Sequence, residues 1–187
     1  MSNMEQMEET SIITRVLNGD RQAYALLVNE YKDQIFNLAY RMTGSHEDAD
    51  DLSQDTFIRA YKNLKRFDKE KRFFTWLYTI SVNLIRNRLK KNIKNLSRGA
   101  AENPAMDTAE PDNTNTPEQA MIHTQRIHHL NMCLQKLPGD LREAVVLRFY
   151  QELSFENITE ILGISLSAAK MRVYRGLEKL REVMGNE

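Results

Sequence analysis

Apolar residues recur at spacings of three and four along most of the chain, the period of helices buried on one face. Ile12, Ile13, Val16 and Leu17 mark a short first helix, which Asn18 and Gly19 end. Asp20 is placed to cap the next helix. Tyr24, Leu27, Val28, Tyr31, Ile35, Leu38, Ala39 and Met42 form a stripe about six turns long, stopped by Gly44. Ser45 with Asp48 three residues on resembles a capping box that opens a third helix, striped by Ala49, Leu52, Thr56, Phe57, Ala60, Tyr61 and Leu64. A fourth starts near Phe73. Its first half is apolar almost all round (Phe73, Phe74, Trp76, Leu77, Tyr78, Ile80, Val82, Leu84, Ile85), and its second half is basic. These four helices suffice for a bundle.

The pattern then breaks. Ser97 to Pro117 holds three prolines and few large apolar residues, too little to offset the entropy of ordering it, so a flexible acidic linker is predicted. Periodicity resumes with Ile127, Leu130, Leu134 and Leu137 ahead of Pro138. A second helix, with Asp140 as its cap, carries Ala144, Val145, Leu147 and Phe149. Ser154 caps a short helix with Phe155, Ile158, Ile161 and Leu162; Gly163 and Ile164 turn the chain; Ser165 opens a helix with Ala169, Val173, Leu177 and Leu180 inward. Two helices joined by a tight glycine turn are a helix-turn-helix. The expected fold is all-α: a four-helix module over 1–96, a flexible linker over 97–118 and a helix-turn-helix module over 119–187.

The 187 residues carry no formal net charge, yet the charge is segregated. Lys62 to Arg98 holds twelve basic residues against Asp68 and Glu70, whereas Ala101 to Ala120 has five acids and no Lys or Arg. Blocks of opposite sign indicate separate surfaces for separate partners. The single cysteine, Cys133, excludes an internal disulfide framework and fits a reducing compartment. Met1 to Thr10 lacks the order of a signal peptide, and no apolar run reaches the length of a membrane span. A cytoplasmic location is expected.

Three constellations could carry chemistry. In the last helix Ser167, Ala168, Lys170, Met171 and Arg172 would face a major groove, with Arg175 and Lys179 on the backbone; the alternative is a helical hairpin with a solvated basic face. Cations at Lys65, Arg66, Lys71 and Arg72 beside Phe74, Trp76 and Tyr78 suit single-stranded nucleic acid, whose bases stack on rings while cations hold phosphates. The alternative puts the rings in the core. Arg86, Lys90, Lys91 and Lys94 share one helix face and could follow a duplex backbone. Finally, Asp48, Asp51 and Asp55 stripe the third helix opposite its apolar face. Three carboxylates on one helix lack the convergence of a metal cage, so contact with a basic protein is the better reading. His128, His129 and Cys133 have no matching pair elsewhere for zinc, and neither a phosphate loop nor a nucleophile–base pattern occurs. No cofactor, metal or small-molecule substrate is expected.

Taken in order, Asp48-Ala-Asp-Asp-Leu-Ser-Gln-Asp-Thr-Phe57, Phe74-Thr-Trp-Leu-Tyr78 with Asn83, Leu137-Pro138, Leu153-Ser-Phe-Glu-Asn-Ile158 and Lys170-Met-Arg-Val-Tyr-Arg175 resemble the extracytoplasmic-function group of bacterial RNA polymerase sigma factors over nearly the whole length. The resemblance implies a non-enzymatic promoter-specificity subunit. Residues 1–96 would be its region 2 and 119–187 its region 4. Asp48, Asp51, Gln54, Asp55 and Phe57 would dock on the clamp helices of the polymerase β′ subunit, with the β flap as a further contact. Lys65, Arg66, Lys71, Arg72, Phe74, Trp76, Tyr78, Asn83, Arg86 and Lys90 would melt the minus-ten element and capture a flipped base. Ser167, Ala168, Lys170, Met171, Arg172, Arg175 and Lys179 would read the minus-thirty-five element. A membrane-anchored anti-sigma factor is a common regulator in the family. Thr159, Asn157 and Ser167-Ala-Ala169 depart from the usual residues, which puts the promoter sequence out of reach. The rival readings are a ligand-sensing helix-turn-helix regulator and a metal-dependent nuclease built on the Asp48–Asp55 stripe.

Overall fold

The computed structural model describes residues 6–96 and 117–185. The predicted linker lies outside the described residues but for its last two positions. All regular elements among the described residues are helical. They are α1 (Gln6–Leu17), α2 (Tyr24–Thr43), α3 (His46–Asn63), α4 (Phe73–Leu96), α5 (Pro117–Gln135), α6 (Gly139–Val145), α7 (Phe155–Leu162) and α8 (Leu166–Gly185), with short tight turns over 21–23 and 64–66. None is long and apolar enough to cross a membrane.

The helix ends follow local chemistry. The Asp20 carboxylate accepts from Ala23 N at 3.1 Å. Gly44 closes α2 at φ 74°, a left-handed conformation that costs glycine least, and its N–H reaches Tyr40 O. A side chain there would also press on Gln135 of α5 at 3.1 Å. Ser45, Ser154 and Ser165 cap α3, α7 and α8 through the N–H groups of Asp48, Asn157 and Ala168, each at 3.2 Å. Gly163, at φ 65°, makes the turn between the last two. Asp140 is not a cap. Pro138 occupies the N-cap of α6 without a side-chain bond, and Asp140 lies exposed in the first turn.

α2 is the spine. Leu27, Tyr31, Ile35 and Leu38 on it are buried with Leu52 and Ala60 of α3 and Leu77 and Ile85 of α4. α6 runs on into one wide π turn, Val146–Tyr150, which rotates the side chains beyond it. Phe149, expected on the apolar side, therefore stands 51% exposed, and Leu177 of α8 is also partly exposed. α8 crosses α6 at Gly176, where a Cβ would sit 2.5 Å from Val145 Cγ2.

The two modules pack together rather than standing apart. One continuous apolar core joins α1–α4 to Val146, Leu147, Leu153, Ile158 and Ile161. Polar contacts rim this seam. Tyr78 Oη donates to Gln151 Oε1 at 2.7 Å, Gln151 Nε2 donates to Gln34 O at 3.3 Å, and Arg86 pairs with Glu143 at 2.9 Å. The Arg142 guanidinium donates to Met42 O of α2, to Gln135 O at the end of α5 and to Leu137 O just past it. Burial pushes its pKa down to about 10.

Candidate nucleic-acid interface

The end of α3, the turn after it and one face of α4 enclose an open pocket of about 350 Å³. It is lined by Arg59, Asn63, Arg66, Trp76, Ile80, Asn83, Leu84 and Asn87. The α4 members fall at i, i+4, i+7, i+8 and i+11 from Trp76, so helical geometry alone aligns them. Trp76 leans on Phe67 and Phe73, with ring centroids 5.2 and 5.7 Å away, which fixes its indole. Such a lining offers groups that a nucleobase and its phosphate could use: a flat aromatic and aliphatic wall, carboxamides that both donate and accept, and two guanidiniums.

Arg66, Trp76 and Asn83 are the predicted residues that this pocket brings together. Ile80 and Leu84 were expected only in the apolar half of α4, and Arg59, Asn63 and Asn87 were not singled out, although the i, i+4 spacing of Asn83 with Asn87 and of Arg59 with Asn63 was a usable signal. Lys65, Lys71 and Arg72 lie exposed on the adjoining loop, and Lys90 lies exposed further along α4. Phe74, Tyr78 and Arg86 point elsewhere. Phe74 packs edge-on to Tyr78 at 5.6 Å, and Tyr78 is buried with its phenol held by Gln151. Burial raises that phenol's pKa. Glu143, Arg86's partner in α6, is 2% exposed; burial raises its carboxyl against the lowering pull of Arg86. α4 thus turns one face to the pocket and another to the second module.

On α3, Asp51, Gln54 and Asp55 are exposed. Asp48 is half-buried and bound by Arg88 and, at 3.4 Å, by Asn92; Arg88 also lies 3.5 Å from Asp51. Phe57 belongs to the core at 7% exposure, its carbonyl accepting from Tyr24 Oη at 2.8 Å. Its side chain supports the helix from behind and does not join the acidic surface. No cluster of three or more His, Cys, Asp or Glu residues that could hold a metal occurs among the described residues. His129 Nε2 lies 3.7 Å from Cys133 Sγ.

On α8, Ser167, Lys170, Met171, Arg175 and Lys179 are exposed, while Ala168 and Arg172 are half-buried. Arg172 lies 3.9 Å from Asp140. Lys179 is bridged to Glu182 at 2.7 Å, which raises its pKa. Lys170 and Arg148 share the ring of Phe155, at 5.8 and 5.0 Å from its centroid. The 63% exposed ring of Tyr174 adds an unpredicted aromatic to this face.

Both modules have counterparts among known proteins. The Sigma-70 region 2 family matches residues 27–94, and the Sigma-70 region 4 family matches residues 128–180. The chain is 37% identical over 174 residues to the ECF RNA polymerase sigma factor SigW of Bacillus subtilis, covering 91% of this chain and 93% of the relative. It is 32% identical over 181 residues to the ECF RNA polymerase sigma-E factor of Haemophilus influenzae, covering 94% and 95%. Among solved structures, CnrH in complex with the cytosolic domain of CnrY superposes with TM-score 0.70 at 24% identity, over 95% of this chain and 97% of that one. The sigma factor RpoE from Bartonella quintana, solved with the anti-sigma factor NepR, superposes with TM-score 0.72 at 21% identity, over 87% and 96%. Both show the same fold.

Proposed function

This chain belongs to the ECF family of RNA polymerase sigma factors, and from that premise we propose how its surfaces divide the work of initiation. A sigma factor is not itself an enzyme; it joins core RNA polymerase and directs transcription to particular promoters. Residues 1–96 then act as region 2, 97–118 as the linker and 119–187 as region 4. Asp51, Gln54 and Asp55, with Asp48 braced by Arg88, dock on the β′ clamp helices. The pocket around Trp76 and Asn83 takes an unpaired base of the minus-ten element, while Lys65, Arg66, Lys71, Arg72 and Lys90 hold the strand. The exposed face of α8, from Ser167 through Arg172 to Lys179, lies in the major groove of the minus-thirty-five element, and region 4 meets the β flap. The cytoplasm, where polymerase works, is the compartment. An anti-sigma factor holds the protein in reserve, a reading supported by the anti-sigma factor NepR solved with RpoE.

The observation that carries the base-capture reading is the pocket itself, with its indole wall, paired carboxamides and flanking guanidiniums. Unstacking a base costs a few kcal/mol per step, so a site that recovers this must offer stacking and edge bonds together. The test is in vitro transcription with core polymerase and permanganate footprinting. Trp76→Ala with Asn83→Ala is expected to abolish thymine reactivity in the minus-ten segment while duplex binding persists. Undiminished reactivity refutes the assignment. Arg172→Ala is expected to weaken duplex binding upstream and leave opening of a bound promoter intact.

A further inference from the structure

α1 precedes the segment matched by region 2, and two of its side chains, Gln6 and Thr14, bond to the basic loop beside the pocket. Arg72 is the residue before α4, where a helix calls for a side-chain acceptor to satisfy its first N–H groups. A guanidinium has no acceptor. Lys71 has none either, and cations at the positive end of a helix dipole are unfavourable. The loop's basic character therefore leaves α4 without a local cap.

Glu9 of α1 brings a carboxyl to this end from outside. Its carboxyl, 4% exposed, takes the hydroxyl of Tyr31, whose ring lies 5.8 Å from that of Phe73; burial raises its pKa against the lowering pull of Tyr31, the Phe73 N–H and Arg72. Two further bonds tie the same helix to the loop. Lys69 Nζ donates to Thr14 Oγ1 at 3.0 Å, and Gln6 Nε2 donates to Glu70 O at 3.4 Å. Phe73 in turn backs the Trp76 indole.

We propose that α1 is a positioning element for promoter opening: Glu9, helped by Thr14 and Gln6, holds the 65–72 loop and the Phe73–Trp76 wall in the shape that receives an unpaired base. This rests on the base-capture reading of the pocket. Glu9 touches no DNA. It acts through Tyr31 and Phe73, so its loss slows opening without weakening attachment to polymerase.

The test uses the full chain assembled with core polymerase on two templates, a duplex promoter and the same promoter with its minus-ten segment already unpaired. Glu9→Leu is expected to slow opening of the duplex about tenfold, the scale of a lost charge-assisted hydrogen bond, with less than about a twofold change on the pre-opened template. Glu9→Gln, which keeps an acceptor for the Tyr31 hydroxyl, restores most of the rate. Thr14→Val with Gln6→Ala, both away from the core, is expected to slow the duplex about threefold by the same argument. Equal losses on both templates mean a general structural defect and overturn the proposal, as does normal duplex opening by Glu9→Leu. Should Glu9→Leu not fold, normal opening by the double variant overturns it instead. Asn83→Ala is run alongside. Normal opening by that variant refutes the pocket reading, whereas a defect in Asn83→Ala with none in Glu9→Leu refutes only the role of α1.

Discussion

The two faces of α4 both mix aromatic with polar residues and meet different surroundings. Toward the pocket stand Trp76, Ile80, Asn83 and Asn87, with Asn83 and Asn87 exposed. Toward the second module stand Phe74, Tyr78 and Arg86, engaged by Tyr78 itself, Gln151 and Glu143 respectively. Aromatic and polar residues occur on both. What separates them is whether the polar atoms already have protein partners. A phenol saturated by Gln151 stabilises a seam, whereas an open carboxamide is available to a ligand.

That contrast sets the order of expected effects. Tyr78→Ala removes a buried ring from the shared core and is expected to lower stability by about 3–5 kcal/mol, read as a fall in the urea midpoint. Tyr78→Phe, losing only the bond to Gln151, is expected to cost about 1 kcal/mol. Trp76→Ala on the pocket face should reverse the balance: a loss of about 1–3 kcal/mol but a fall in duplex opening out of proportion to it. If the two alanine variants lose stability and opening in the same ratio, the division of α4 into two faces is mistaken. Asn87→Ala should leave the urea midpoint within about 0.5 kcal/mol and reduce opening several-fold.

The smallest effect is on pH dependence. Burial raises the Glu143 carboxyl above its unfolded value, with Arg86 only partly offsetting it. A raised acid favours the folded state below its unfolded pKa, and that contribution is lost as pH rises through the folded pKa. Glu143→Gln cannot ionise. Relative to the native chain it should therefore gain stability from the ordinary carboxylate range upward, and urea midpoints at acid and neutral pH would register the difference.

Much of the fold was legible because helix ends announce themselves locally. Gly44, Ser45, Ser154, Gly163 and Ser165 each act through bonds to residues three or four positions away, and sequence neighbours suffice to read them. Asp140 misled because α6 begins at Gly139, leaving the carboxylate inside the first turn. Phe149 misled because a π turn shifts the helical phase, which a fixed period cannot register. The seam was invisible for a different reason. Its polar members, Gln34, Gln151, Arg142 and Glu143, look like surface residues until the partner more than fifty positions away is known. The same holds for Glu9, whose partner, the Tyr31 hydroxyl, stands 22 positions along the chain. Of the residues expected at the minus-ten element, Trp76, Asn83 and Arg66 line one pocket, while Tyr78, drawn from the same aromatic run, lies on the other face. Residue type alone could not separate the two.

The shared core has a practical corollary for dissecting the molecule. Because Val146, Leu147 and Ile158 are buried in the same cluster as Leu27 and Leu77, a cut between residues 96 and 117 would leave two halves with matching greasy scars. Each half alone should be sticky and poorly behaved, and the pair should reassemble on mixing, as complementary fragments of one body do.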